Sequence, residues 1–480
     1  MHSRTPSKIT WETVIGIEVH AQLNTQSKIF SPSSTLFGQA PNTQASMVDL
    51  AMPGTLPVLN QEVVRKAIQF GLSIQAKLNS PSFFERKNYF YPDLPKGYQI
   101  SQLDIPIVGP GTLEINLPDG TQKIINITRA HLEEDAGKSI HGLVPSKTGI
   151  DLNRAGTPLL EIVSEPELRS AEEAVAYLKA LHELVMAIDI CDGNMQEGSF
   201  RADINISVRP LGQEKLGTRT EIKNVNSFKF AEQAIHYEVE RQIDLLESGQ
   251  KIIQETRLFD AESGQTKSMR SKEDAHDYRY FPDPDLPPLF LDPELINQLK
   301  QNLPELPHQK KSRYAKNYGF SSDNIILLTQ SKKMSFGFEF LIQKNHAPKL
   351  ILNWLKNLDL EKNPEFDLKN LSQLLEKIES GKISNTAGKQ ILAELLQDKK
   401  GKNNIDQIIL ELRLEQVSNI SELENWVQKI IQENPTQVAE FKSGKEKLLG
   451  YLVGQVLKLS GGKANPGQVK EIFLKIISEL

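Results

Sequence analysis

His131-Leu-Glu-Glu-Asp-Ala-Gly-Lys138 sets three carboxylates, Glu133, Glu134 and Asp135, just ahead of a Gly-Lys-Ser step at Gly137, Lys138 and Ser139. Near the N-terminus, Glu18 and His20 stand two residues apart within the segment Ile15 to Gln22. In a strand, residues i and i+2 project from one face, so Glu18 and His20 would point together. One imidazole with several carboxylates is a donor set for a hard divalent cation that holds phosphates. An exposed acidic turn and a satisfied structural histidine are the competing readings. Two features favour chemistry. The acidic triplet follows the apolar run Ile124 to Ile127, at a strand exit where sites are built. His20 lies in an otherwise apolar strand, where a polar side chain needs a partner.

Further candidates line other segments. Gly137-Lys138-Ser139 is not the end of a P-loop, because that motif requires glycine five residues earlier, where this chain has Leu132. Lys138 can still meet a phosphate as an ordinary cation. Arg154 could clamp a phosphate or carboxylate through two parallel bonds. Glu161 falls inside the apolar run Leu159 to Val163, where a carboxylate is costly unless paired or metal-bound, and it ranks above Glu165, which precedes a proline. Asp203, Asn205 and Ser207 share one strand face with Arg201 and Arg209, and Glu221 shares one with Lys223; both faces could equally be the wet side of a sheet. Arg86, Lys87, Tyr89, Phe90 and Tyr91 join two cations to three aromatics, a composition for phosphate binding and base stacking or for a plain strand. No Gly-x-Ser-x-Gly elbow and no His-Glu-x-x-His occurs, and Cys191 has no base near it in sequence, so amide hydrolysis by a Cys-His route is not expected.

The elements that must position these residues are legible. Strands are expected at Thr13 to Val19, Lys123 to Ala130, Leu159 to Ser164, Arg201 to Arg209 and Arg219 to Lys223, with Asp119-Gly120 as a hairpin turn. One helix should begin at Ser170, capped in the Ser-x-x-Glu manner with Glu173; a second should run from about Ser227 to just before Gly249. The proline-rich run Phe281 to Pro288 cannot be regular helix or central strand and reads as a strap or domain exit. Beyond it Leu, Ile and Lys recur at helical spacing, broken at Pro304, Pro307, Pro348 and Pro364. Near the end, Lys445 to Leu459 should form one helix stopped by Gly461-Gly462, and Asn465-Pro466 should start another. The expected fold is α+β. A mixed N-terminal cradle with a mainly antiparallel sheet, residues 1–293, precedes an all-α helical domain, 294–404, and a small all-α tail, 405–480, with Lys399 to Asn404 as the linker.

Composition narrows the class. At 480 residues the chain is too long for one core. A single cysteine excludes an intramolecular disulfide and any zinc site built of cysteines. No apolar leader marks Met1 to Thr10 and no run of about 18 apolar residues exists, so neither secretion nor a membrane span is expected and the cytoplasm is the expected location. The net charge is −5, but it is unevenly spread. From Leu295 onward there are 27 Lys and Arg against 21 Asp and Glu, a net of +6, leaving −11 for the rest. An acidic front suits a metal site. A mildly basic rear could touch a phosphate backbone or could be a solvated helical surface.

These stretches resemble the GatB/GatE family, the B subunits of the aspartyl/glutamyl-tRNA amidotransferases. The resemblance rests on Val14 to His20, Arg86 to Asp93, His131 to Lys138, Leu152 to Pro166 and Glu221 to Phe228, with Gly450 to Gln455 and Gly462 to Pro466 in the tail. It runs over essentially the whole chain. It implies ATP-dependent transamidation of misacylated Glu-tRNA(Gln) or Asp-tRNA(Asn): phosphorylation of the side-chain carboxylate, then displacement of phosphate by ammonia. It implies a heterotrimer with an amidase-type glutaminase A subunit and a small C subunit. By resemblance Mg²⁺ would rest on Glu18, His20, Glu134 and Glu161, with Glu133 as substitute if the turn is rotated by one residue. Lys87 and Arg154 would contact phosphate or the aminoacyl end, with Arg86 and Lys138 beside the nucleotide. Many members carry a four-cysteine zinc site in the loop after the first strand. The corresponding loop here, Phe30 to Asn42, has no cysteine, so zinc is not expected and packing and turns must hold its shape.

Two other classes compete. A metal-dependent kinase or ligase for a free small acid would have no need of the basic helical rear. A scaffold that binds tRNA without catalysis would have no need of Glu18, His20 and Glu134 together.

Overall fold

The computed structural model describes residues 9–271, 278–329, 331–397, 404–412, 414–415, 420–461 and 463–479. Two compact units divide the chain, Met1–Lys310 and Lys311–Leu480.

The first unit is α+β. Its strands are β1 (Trp11–Gln22), β2 (Glu85–Asn88), β3 (Tyr98–Ser101), β4 (Gly111–Asn116), β5 (Gln122–Glu134), β6 (Lys138–Val144), β7 (Lys147–Asp151), β8 (Pro158–Ser164), β9 (Phe200–Pro210), β10 (Thr220–Val225), β11 (Glu255–Asp260), β12 (Gln265–Ser271) and β13 (Phe281–Pro282). Eight form one sheet in the order β12-β11-β10-β9-β1-β8-β5-β4. Every pairing in it is antiparallel except β10 with β11. Along its central strands, alternate residues divide between two faces. Ile17, Val19 and Ala21, Ala130 and Leu132, Leu160 and Ile162, and Ala202, Ile204 and Ile206 are buried in one apolar core. That core also takes in the apolar stripes of helices α1 (Gln61–Ser73), α2 (Ala171–Ala187) and α3 (Phe228–Glu247). The opposite face carries the acids and imidazoles.

Local chemistry sets the helix ends. The Ser170 hydroxyl accepts from the Glu173 N–H at 3.2 Å, while the Glu173 carboxylate accepts from the Arg169 N–H at 2.8 Å. Ser227 caps α3 through the Phe230 N–H, and Gly249 takes a positive φ of 76° just past its end. The β4–β5 hairpin turns at Gly120, φ 86°.

β5 continues four residues beyond the expected Ala130, so the acidic triplet begins within the strand rather than beyond it. The proline-rich strap enters as an edge strand. Phe281 and Pro282 pair with Arg86 and Glu85, the position at which a sheet tolerates proline. The loop Phe30 to Asn42 is tied at its end. The Asn42 side-chain amide donates to the Ile150 carbonyl at 2.8 Å, and its oxygen accepts from the Leu152 N–H at 2.8 Å.

The second unit is helical, with one apolar cluster drawn from Tyr314 to Ile409 and another from Leu423 to Ile477. Pro307 and Pro348 begin helices, Pro307–Tyr318 and Pro348–Leu358, where a missing N–H costs nothing. The expected helix near the C-terminus spans Lys447–Leu459, and Gly461 after it has φ 62°. Asn465 then accepts from the Gly467 N–H at 2.9 Å and starts Pro466–Glu479. Gly462 and Lys399 to Lys402 lie outside the described residues, as does Asn403.

Candidate active site

Strand register builds the site. Glu161 of β8 lies opposite His131 of β5 on one side and His20 of β1 on the other, and His20 in turn lies opposite Arg201 of β9. One row of four polar residues therefore crosses four adjacent strands. On the same face, Glu133 lies two residues to one side of this row, and Glu18 and Asp203, directly opposite each other, lie two residues to the other side.

His20 Nε2 stands 3.3 Å from Glu161 Oε2, and His131 Nε2 stands 3.4 Å from the same oxygen. Burial opposes ionisation of Glu161, but the two imidazoles outweigh it and hold the carboxyl well below its usual range. Burial likewise opposes a charge on His20. The carboxylates of Glu161, Asp203 and Glu133 overcome it and raise the imidazole to about 9. Glu18 moves opposite to Glu161: burial and the charge of Glu161 raise its carboxyl.

Glu133 Oε2 is buried and has no hydrogen-bond partner. Lys87 Nζ is 3.9 Å from it and His131 Nε2 4.0 Å, both too far to donate. His20, Glu133 and Glu161 each offer one donor atom, and these atoms lie within 4.8 Å of one another. A buried carboxylate oxygen left unsatisfied costs free energy unless something binds it. Two carboxylates with one imidazole suit a divalent cation, so the residues present fit one.

Glu134 turns away from this group, because successive strand residues face opposite sides. Its carboxylate accepts from the Ile100 N–H at 2.8 Å and pairs with Lys96. Of the expected ligands, Glu18, His20 and Glu161 share the polar face; Glu133, the expected substitute, lies there with them and Glu134 does not.

The expected phosphate contacts divide as well. Lys87 sits at the cluster, beside the Tyr278 ring at 5.4 Å. Burial opposes its charge, but Glu133 and Glu161 more than compensate, so the ammonium keeps its proton. The Arg154 guanidinium donates to the carbonyls of Ala136 and Gly137, at 2.9 and 2.6 Å, and stands 3.7 Å from Asp135, wrapping the turn after β5. Arg86 is held by Asp283 and Asp285, each at 2.8 Å, with its guanidinium 4.2 Å above the Tyr98 ring; its place is on the strap. Lys138 is exposed at the start of β6.

Sequence reasoning singled out neither His131 nor the part of Asp135 that matters here. Asp135 is buried, bonded by Arg201 at 2.9 Å and Gln22 at 3.1 Å. Burial alone would raise its carboxyl, but Arg201 and Arg154 hold it low. The signal was present: His131 is two residues from Glu133, the spacing that marked Glu18 and His20. On the far side of the row, Lys223 Nζ bonds Asp203 at 2.5 Å and stands 3.5 Å from Glu221, so that wet face is an ordered charge network.

Comparison with known proteins identifies the family. Residues 13–297 match the GatB/GatE catalytic domain and residues 338–477 the GatB domain. A protein of Thioalkalivibrio sulfidiphilus, named as the B subunit of aspartyl/glutamyl-tRNA(Asn/Gln) amidotransferase, is 54% identical over 477 residues, 97% of this chain and 99% of the relative. Proteins of the same name from Alkalilimnicola ehrlichii, 54% identical, and Coxiella burnetii, 53% identical, are matched over 96% and 97% of this chain and 98% and 99% of their own lengths. With its polar strand row inside the matched catalytic region and relatives alike from end to end, this chain belongs to the GatB/GatE family.

Proposed function

We propose that this chain is the carboxylate-activating subunit of a glutamine-dependent aspartyl/glutamyl-tRNA amidotransferase. Its substrates are ATP and tRNA bearing the wrong amino acid, Glu on tRNA(Gln) or Asp on tRNA(Asn). The names of the relatives support the tRNA substrate and the subunit role. The observation that carries the chemistry is the buried oxygen of Glu133, reached by no hydrogen bond, beside His20 and Glu161.

A carboxylate is a poor electrophile, and phosphorylation gives it a leaving group. A side-chain carboxylate oxygen of the aminoacyl-tRNA attacks the γ-phosphorus, the bond to the bridging oxygen breaks and ADP departs. Ammonia then attacks the carbonyl carbon, the bond to phosphate breaks, a proton is lost, and the amide and inorganic phosphate result. A bound Mg²⁺ would neutralise charge on the transferring oxygens. His20, Glu133 and Glu161 would hold it, with Glu18 on the same face. Lys87, kept protonated by Glu133 and Glu161, adds a fixed positive charge at the same place. Asp135 orients Arg201 at the end of the row through their 2.9 Å bond.

Ammonia would come from an amidase-type glutaminase A subunit, joined by a small C subunit in a heterotrimer. The state of Cys191 supports a separate glutaminase: its thiol is buried and pushed up to about 12, unfit to be a nucleophile. The division into a cradle, 1–293, a helical domain, 294–404, and a tail, 405–480, is part of the proposal. The latter two would grip tRNA outside its acceptor end with their net charge of +5, 27 Lys and Arg against 22 Asp and Glu. No helix among the described residues is long and apolar enough to cross a membrane, and the complex would act in the cytoplasm.

The test is ADP release by this chain with its A and C partners, given Glu-tRNA(Gln) and Mg²⁺ without an amide donor. Release that depends on the charged tRNA, with uncharged tRNA as control, supports carboxylate activation. Absence of release with both Glu-tRNA(Gln) and Asp-tRNA(Asn) overturns it.

A further inference from the structure

We infer that Arg129 receives the side-chain carboxylate of the amino acid carried by the tRNA and thereby lets the site choose the acid over its amide product. The inference rests on the activation reaction proposed above. Arg129 has no hydrogen bond, ion pair or ring contact among the described residues, and its Nε is buried. Arg201, Arg209 and Arg257, elsewhere on the same sheet, each bond a carboxylate. A guanidinium stays charged and carries five donors, and the one that solvent does not reach here costs free energy until an acceptor meets it.

A bulge aims this side chain. Ile125 and Ile127 face the apolar core, and so do Ala130 and Leu132, although strict alternation would send Ala130 to the other face. The change comes at Thr128, where the register with β8 slips by one: Ile127 lies opposite Ser164, but Arg129 lies opposite Val163. The Thr128 hydroxyl donates to the Glu165 carboxylate at 2.7 Å and pins the extra residue. Arg129 thus comes out on the face of His131 and Glu133. A regular strand would have turned all three toward the core. Bulges re-aim side chains in this way beside active sites.

Its place beside the candidate cation group selects the ligand. Arg129 and Glu133 are four residues apart on β5, about 13 Å of strand, with His131 between them. Lys87 stands at the Glu133 end, next to the donor atoms of His20, Glu133 and Glu161, where charge on the phosphates would be met. Arg129 stands at the other end, across Val163 from Glu18. In-line transfer puts the attacking oxygen on the side of phosphorus away from the leaving group. The attacking group here is a carboxylate, and the planar fork of a guanidinium matches both of its oxygens. Each oxygen keeps a further lone pair for attack. The amide product offers one acceptor oxygen and an NH₂ group, which would set donors against donors.

Binding to the assembled complex, with a non-hydrolysable ATP analogue present, tests this without turnover. Wild type should hold Glu-tRNA(Gln) about 10–100-fold more tightly than Gln-tRNA(Gln), the order for hydrogen bonds to a charged group. Arg129→Gln should bind the two alike with an unchanged unfolding midpoint, and Arg129→Lys should recover part of the difference. In turnover, Arg129→Gln should raise KM for Glu-tRNA(Gln) by a similar factor and leave KM for ATP as it was. A rise for ATP alone would give the guanidinium to a phosphate and overturn the inference. So would equal discrimination in Arg129→Gln and wild type, or a lower unfolding midpoint, which would make Arg129 a part of the fold. Discrimination lost in the variant, with no ADP release by wild type, would sink the activation reaction and leave Arg129 in its role.

Discussion

His20 and His131, on the two strands that flank Glu161, approach the same carboxylate oxygen at 3.3 and 3.4 Å. Neither imidazole is near Glu161 in sequence. Antiparallel register alone puts the three side chains in line. The carboxylate is thereby fixed in direction and kept ionised in a buried place, which a metal ligand requires.

Glu133 and Glu134 should separate cleanly on mutation. Glu133→Gln is expected to lower ADP formation at least about 100-fold, the usual order for loss of a metal-site group, with little change in unfolding midpoint. Glu134→Gln breaks the pair with Lys96 and weakens the bond from the Ile100 N–H. It should cost about 1–3 kcal/mol in stability, read by urea denaturation. The reverse pattern would place the cation on the other face of the strand.

Arg86→Ala should loosen the strap. It would leave Asp283 buried without its cation and should cost about 3 kcal/mol. Arg86→Lys should recover a part, since an ammonium cannot bond both Asp283 and Asp285 in one plane while lying on the Tyr98 ring. Limited proteolysis should show faster cutting between Phe281 and Pro288 in the alanine variant.

Glu238 should make stability fall in acid. Its carboxylate is buried under β10 and β12, bonded by Arg241 at 2.6 Å, Thr220 at 2.8 Å and Thr266 at 2.9 Å. Burial alone would raise its carboxyl, but Arg241, Gln242 and Thr220 hold it below the ordinary 4.5. A carboxyl lowered in the folded state stabilises fully above 4.5, and that contribution disappears as pH falls through the folded value. Denaturation midpoints measured at falling pH should therefore drop less steeply in Glu238→Gln than in wild type. Equal slopes would show that other carboxyls carry the acid sensitivity.

Cys191 should be inert in the folded chain. With the thiol 2% exposed and raised to about 12, alkylation at neutral pH should be slow until denaturant is added and rapid afterwards. Fast alkylation of the native protein would place the thiol in an opening segment.

Much of this was legible beforehand because it is local. The caps at Ser170 and Ser227, the turn at Gly120 and the Asn465-Pro466 helix start follow from backbone chemistry within a few residues. The pairing of Glu18 with His20 followed from strand period. The choice between Glu133 and Glu134 did not, because it depends on where β5 ends, and tertiary pairing with β8 carries the strand through both residues. Arg86 and Arg154 invited a phosphate for similar reasons of type. Their partners, Asp283 and the Gly137 carbonyl, are set by contacts that no local pattern reveals.

The place of β1 in the sheet has a consequence for biosynthesis. The strand emerges from the ribosome early, yet one of its neighbours is β8 and the other is β9, which ends at Pro210. Until β8 has been made neither edge of β1 has its native partner, and until β9 has been made one edge still lacks it. The nascent chain must therefore be shielded through the synthesis of this long stretch, and the grouping of His20, Glu133 and Glu161, which needs β1, β5 and β8 together, cannot form before Ser164 has been made.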